Sequence, residues 1–490
     1  VARGFADAAL AAFLCLALLS SPAAALSPAT PLFADATAGS GIPPLKFAEG
    51  VNACDLTGDG LPDLFLPNAR GRNRLFVNLG GLQFGEATDH LGPPTSNGVG
   101  AVVAELTADT APEIFVVRGN YSGGTNLLYV GGETGRFSEV AAAAGISTAV
   151  NGIAAAAADV DLDGRLDLLV STWSGATLYR NVSTPGRPSF EDVTAEAGIA
   201  GGGRGWGAVF ADFTGDHLPD LFLARGTKGK ADPCRFYVNE GGGRFSDATA
   251  ASGIVGIRWG TGGVPTDLDG DGDLDLFVTD LEGKDRIFRN DGTGTFTDVT
   301  MASGVTSGKS HGAVAGDIDG DLRPDLVVGG FGEPLRAYRN LGGMRFEEVT
   351  QQWGLEGTTR NLGVVLADLD RDGDLDLYVA NADGKNRLYR NQLENNRNPW
   401  IVVTLAHLPL GGIGAEVRLK TADGKGTLLA RTDCLGGFGY CSQGPAEALF
   451  SLPAATCEVE ITLPGGRTLT IPGVRPGVID ATFPVEATTP

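Results

Sequence analysis

The chain has 490 residues, 42% hydrophobic and 20% charged, with 74 glycines and a formal net charge of −22. Such a length supports a large core and more than one domain. Abundant glycine without a collagen period suits tight turns between short strands, and the acidic balance excludes a general nucleic-acid binder.

In chain order, residues 1–25 read as a secretory signal peptide: Arg3 lies in a short n-region, an apolar run covers 8–19, and 23–25 offer an A-x-A cleavage site. That run is short for a bilayer span, and nothing later predicts a membrane span. Next comes Phe33, opening a Phe-x-(Asp/Glu)-x-Thr pattern that returns at 190–194, 296–300 and 346–350.

From there an acidic loop recurs seven times, at intervals of 50 to 55 residues. It places oxygen side chains at loop positions 1, 3, 5 and 9: Asp55, Thr57, Asp59 and Asp63; Glu105, Thr107, Asp109 and Glu113; Asp159, Asp161, Asp163 and Asp167; Asp212, Thr214, Asp216 and Asp220; Asp267, Asp269, Asp271 and Asp275; Asp317, Asp319, Asp321 and Asp325; Asp368, Asp370, Asp372 and Asp376. A flexible loop that aims several carboxylates at one spot suits a hard cation taking roughly six to eight oxygens, calcium before magnesium. Up to seven Ca2+ ions are therefore expected, with the second loop weakest because it has glutamates at both ends and Thr110 where a glycine is usual. The spacing resembles the start of an EF-hand loop, but no glutamate stands at position 12 and a β-run follows.

The fourth repeat shows the unit: short runs at 207–212, 221–224, 235–239 and 245–249 predict four strands, which repeated radially make a propeller blade. Third strands end in Asn78, Asn181, Asn239, Asn290, Asn340 and Asn391. Gly50, Gly100, Gly207, Gly262, Gly312 and Gly363 stand five residues ahead of the first acidic position, where a missing Cβ allows close backbone approach near a propeller axis. The seventh repeat stops after Asn391 without its last strand, and the spare copy at 33–37 supplies it. The prediction is an all-β chain: a seven-bladed β-propeller over 26–396, closed by its N-terminal strand, then a small β-sandwich-like domain over 397–490.

Topology puts the inter-blade connections on the face opposite the acidic loops. Arg204, Arg258, Lys309 and Arg360 fall at equivalent positions there, followed by Trp206, Trp259 and His311, which predicts a face for an anionic partner. Gly308, Ser310 and Gly312 match G-x-S-x-G, but an inter-blade loop lacks the strand-to-helix turn of a nucleophile elbow, and no catalytic residue is assigned. Cys434 and Cys441 flank a glycine-rich turn and are candidates for pairing, with Cys457 as a rival.

These repeats resemble the FG-GAP/VCBS family, the calcium-loop propellers related to the integrin α-subunit head. Residues 397–490 resemble the ASPIC/UnbV domain of cartilage acidic protein-like chains, through Asn398, Pro399, Trp400 and Ile401, the 412–417 and 439–443 stretches and the turn at 463–466. The basic residue usual ahead of the Gly-Ile-Gly-Ala segment is absent, and 449–452 read Leu-Phe-Ser-Leu where Phe-Gly-Leu-Gly is usual. The resemblance implies secretion, calcium binding and extracellular interaction. The expected function is a non-enzymatic, secreted binding or adhesion module with structural calcium, acting outside the cell or at its surface, the periplasm being the alternative compartment. Its partner would be an extracellular protein or an anionic glycan. Two rival readings are a structural protein that packs on itself or sheathes another assembly, and a polysaccharide lyase or hydrolase on a propeller frame.

Overall fold

A computed structural model describes residues 31–483 apart from 94–96, 108–110, 120–123, 132–135, 147–150, 200–201, 231, 356, 394–398 and 454–455. The expected leader at 1–25, Asp109 and the expected domain boundary at 396 lie outside the described residues. Among the described residues seven sheets follow one another, each built on four antiparallel strands in up-and-down order, the first carrying a short fifth strand in parallel. In the fourth, Gly205–Ala211, Asp220–Arg225, Arg235–Asn239 and Phe245–Asp247 pair in sequence. The first two strands are buried along their whole length, the third in part, and the fourth buries only Phe245. A strand covered on both faces by neighbouring sheets needs a continuous apolar run, whereas an outer strand needs a single anchor.

The first strands pack in cyclic order: Val51–Cys54 on Gly98–Ala104, then Gly152–Ala158, Gly205–Ala211, Gly260–Thr266, Ser310–Gly316 and Asn361–Ala367, which returns to Val51–Cys54. Phe33–Asp35 pairs antiparallel with Arg387–Asn391, Phe33 opposite Asn391, and so becomes the outer strand of the last sheet. Val51, Leu64 and Phe76 of the first sheet share one apolar cluster with Val365, Tyr378 and Leu388 of the last.

Beyond residue 398 two more sheets form. One orders Glu447–Ser451, Trp400–Thr404 and Gly477–Asp480; the other orders Leu428–Asp433, Glu416–Thr421, Cys457–Thr462 and Thr468–Val474. Ile401, Val403, Val417, Leu419, Val459 and Ile461 join a cluster that runs on into Val102, Val117 and Ala155 of the ring sheets. Leu428 approaches Gly272, Trp400 approaches Gly373, and Gly465 donates to the His217 carbonyl at 2.9 Å, so these sheets sit against the acidic loops.

A strap between them, residues 434–444, lies along the first strands of the sheets. Gly436 bridges to Ala157, Gly439 to Gly263, and Ser442–Gln443 pairs in parallel with Val51 and Asn52. Phe438 donates to the Ser442 carbonyl at 2.9 Å, folding the strap into a hairpin with residues 439–441 at its tip. The repeating glycines make room for it: a Cβ on Gly50 would lie 2.2 Å from the Cys441 carbonyl oxygen, and one on Gly262 would lie 2.4 Å from that of Gly439. On Gly312 and Gly363 the close neighbour is instead the adjoining sheet.

Candidate metal centre

The acidic loops other than the second are turns wound around their first carboxylate. Asp55 Oδ1 accepts from the Gly58 amide at 2.7 Å and its Oδ2 from Gly60 at 2.8 Å; Asp212 and Asp267 do the same in their loops. The carboxylate at position 9 begins the second strand and is bonded on both oxygens. Asp167 Oδ1 accepts from the Asn181 amide at 2.7 Å and Oδ2 from Val160 at 3.2 Å, and Asp275 repeats this with Asn290 and Leu268. Position 9 thus ties the loop to the third strand.

The asparagine side chain there reaches one sheet back. Asn181, Asn239, Asn290, Asn340 and Asn391 donate to the carbonyls of Leu106, Val160, Phe213, Leu268 and Ile318, and Asn78 donates to Leu369 of the last loop at 2.8 Å. This stitching was not legible as such, although the recurrence of the asparagines in the sequence marks them. In the second repeat Gly131 stands in the asparagine's place, and the stitch is missing.

Four loops gather three carboxylates with ligand atoms within 4.8 Å of one another: Asp159, Asp161 and Asp167; Asp267, Asp269 and Asp271; Asp317, Asp319 and Asp325; Asp368, Asp370 and Asp376. These are the loops with aspartate at position 3. The loops with Thr57, Thr107 and Thr214 there form no such cluster among the described residues. In the second loop the Thr107 hydroxyl donates to Glu113 Oε1 at 3.0 Å, so two expected ligands satisfy each other.

The chemistry of the pockets fits a hard cation. Oδ1 of Asp161, Asp319 and Asp370, the Thr214 hydroxyl oxygen and both carboxylate oxygens of Asp374 are buried without a hydrogen-bond partner. Buried oxygens of this kind are costly unless something positive faces them. Burial pushes the Asp167 and Asp275 carboxyls up to about 8, and like charges in the same loop add to the effect, against hydrogen bonds from Asn181 and Asn290. Burial also raises Asp317 and Asp368 to about 7, and nearby carboxylates (Asp321 for the first, Glu447 for the second) raise them further. A divalent ion inverts this logic by making the charged form the favoured one.

The opposite face holds a different constellation. Trp206 and His311 are buried, and with Trp259 they surround Tyr440 at the tip of the strap; ring centroids of Tyr440 lie 6.2 Å from Trp206 and 4.7 Å from His311. Burial holds the imidazole of His311 down at about 3, so it stays neutral and offers an anion no charge. These aromatics are the floor under the strap rather than an open mouth. Around them Arg204 stacks on Trp173 at 3.8 Å, Arg360 on Phe331 at 5.2 Å and Arg70 on Phe47 at 5.1 Å, each aromatic being more than a third exposed. Lys309 pairs with Glu333 at 3.1 Å and Arg360 with Asp383 at 3.4 Å, while the Arg258 amide donates to Asp280. Ser310 begins a strand, is buried, and donates to Asp285 Oδ2 at 2.7 Å. Cys54, Cys234, Cys434 and Cys441 are buried free thiols, and Cys441 faces the Ile153 carbonyl at 3.1 Å.

Comparison with known proteins adds the following. The profile of the FG-GAP-like repeat matches at residues 55–116, 106–170, 159–223, 219–278, 267–328 and 320–379. Human cartilage acidic protein 1 is 28% identical over 190 residues, covering 38% of this chain and 28% of that protein. Among solved structures, the BP39L lectin from Burkholderia pseudomallei superposes with a TM-score of 0.48 at 14% identity, over 71% of this chain and 97% of the lectin. BBS1N, in complex with ARL6DN, gives 0.47 at 13% identity, over 74% of this chain and 98% of that one. Six repeat matches that together span residues 55–379, laid on loops whose carboxylates converge in the fold, show that this chain belongs to the FG-GAP-like repeat family.

Proposed function

We propose that the chain is a secreted, calcium-stabilised, closed seven-bladed propeller with a β-sandwich-like module docked on its metal loops, and that it works as an extracellular binding module rather than an enzyme. The observation that carries the calcium reading is the set of unpartnered buried oxygens at loop position 3. Aspartates at positions 1, 3, 5 and 9 would hold Ca2+ in the third, fifth, sixth and seventh loops. Thr57 and Thr214 would lend hydroxyl oxygens in the first and fourth, and the second loop binds least. Calcium supplies fixed positive charge that turns carboxylate repulsion into coordination, so binding free energy becomes folding free energy. Calorimetry with and without chelator tests this: excess chelator should lower the melting temperature strongly, and an unchanged transition would refute the reading.

The binding surface is the face away from the metals, where Arg204, Arg360 and Arg70 lie over exposed aromatic rings. Stacked guanidinium and aromatic planes suit an anionic glycan or an acidic protein segment. Charge reversal at Arg204 and Arg360 should abolish retention on an immobilised sulfated polysaccharide without moving the melting temperature; undiminished retention would remove this face from consideration.

A further inference from the structure

The residue immediately before the third-strand asparagine, or before Gly131 in the second repeat, varies in step with loop position 3. Where position 3 is aspartate (Asp161, Asp269, Asp319, Asp370), that residue is arginine (Arg180, Arg289, Arg339, Arg390). Where position 3 is threonine (Thr57, Thr107, Thr214), it is valine (Val77, Val130, Val238). All seven repeats obey the rule.

The geometry gives the reason. Arg180 Nε lies 3.3 Å from Asp161 Oδ2, and Arg390 Nε lies 3.1 Å from Asp370 Oδ2. In both aspartates the other oxygen, Oδ1, is the buried and unpartnered one. The Asp370 side chain is 6% exposed, so that oxygen has no route to bulk water. In the fifth and sixth loops Arg289 and Arg339 stand at the same place in the strand, Arg339 pairing with Glu347 at 2.7 Å. Counting only the four oxygen positions and this strand residue, every loop presents three uncompensated carboxylates: four aspartates against one arginine, or three acids with threonine and valine.

We infer that the strand residue before the asparagine is a charge-compensating positioning residue for the metal loops: arginine there grips the position-3 aspartate by Oδ2, leaves Oδ1 aimed at the ion, and keeps the loop's charge equal to that of a threonine–valine loop. The family's repeats thus come in two interchangeable electrostatic forms within one chain. This rests on the calcium reading above.

The test exchanges the forms in the full-length protein and follows the calcium concentration that half-restores the melting temperature after chelation. Replacing the four arginines together (R180V, R289V, R339V, R390V) leaves four uncompensated carboxylates per loop and should lower that concentration roughly tenfold, with a lower melting temperature in chelator. Replacing the four aspartates (D161T, D269T, D319T, D370T) leaves a bare guanidinium beside the ion and should raise it roughly tenfold. Making all eight changes should return it to within about threefold of the wild type. Should a set fail to fold, the reciprocal graft in the fourth loop decides: T214D should lower the concentration, V238R raise it, and the pair together restore it. An ordinary structural ion pair would shift both single sets in the same direction, and that result, or no shift in either, overturns the inference while the calcium reading stands. A wild-type protein whose melting ignores calcium overturns both.

Discussion

Glu49 precedes the first strand of the first sheet and accepts a hydrogen bond from the Tyr440 hydroxyl at 3.2 Å. Burial pushes its carboxyl from 4.5 up to about 7, opposed by that bond and by Arg70 and Arg360. A carboxyl raised in the folded state stabilises the fold fully below its unfolded pKa and loses that contribution as pH climbs through the folded value. Between pH 5 and 8, in saturating calcium, the wild-type melting temperature should therefore fall relative to that of Glu49→Gln; parallel curves in a pH series would refute this. Among the metal ligands, Asp271 lies in a loop whose carboxylates converge, whereas Asp109 belongs to the loop where Thr107 and Glu113 already bond each other. Asp271→Ala should shift the calcium-dependent melting curve, and Asp109→Ala should leave it nearly in place. The acidic loop positions were readable one by one because spacing alone defines them. What spacing does not carry is the partner: the bond from Arg180 to Asp161 spans 19 positions and becomes visible only when the third strand lies beside the loop.

At the scale of elements, the strap is what the sequence hid. Its residues read as a glycine-rich turn flanked by Cys434 and Cys441, a candidate disulfide, yet in the fold both thiols are free and the turn bridges first strands of several sheets. Gln443 shows how firmly it is held, donating to the Val103 carbonyl at 2.7 Å and accepting from the Val103 amide at 2.8 Å. Gly262→Val would push a side chain into the Gly439 backbone, at a cost of about 1–3 kcal/mol or more. In that variant, limited chymotrypsin digestion should cut after Phe438 or Tyr440, bonds resistant in the wild type, and Trp206 fluorescence should change as Tyr440 leaves. The predicted strands fared better. The runs at 235–239 and 221–224 match Arg235–Asn239 and the middle of Asp220–Arg225, because the buried apolar run at the heart of each strand advertises it. Only the last strand of the unit came out short: Phe245–Asp247 ends early and the chain turns into a helix at Thr249–Ser252.

For the whole molecule, the docking of the C-terminal sheets on the metal loops links two parts that the sequence presents as separate. Arg431 is the clamp. It is buried, pairs with Asp433 at 2.9 Å and Glu416 at 3.3 Å, and donates to the Gly272 carbonyl in the fifth loop at 2.6 Å. Arg431→Met strands Asp433, leaves Glu416 with Arg418 alone, and should cost about 3–5 kcal/mol in denaturant unfolding. Its loss should be larger in chelator than in calcium, since only the ion then offsets the loop's charge. The sequence by itself determined the repeat, the acidic loops and the spare outer strand, because each depends on residue type at a fixed interval along the chain. Only the tertiary structure decided that the strap bridges first strands of several sheets, that Trp206 and His311 are floor rather than mouth, and which arginine answers which aspartate. Those contacts join residues up to about 391 positions apart, such as Glu49 and Tyr440, and no local pattern encodes a neighbour that distant.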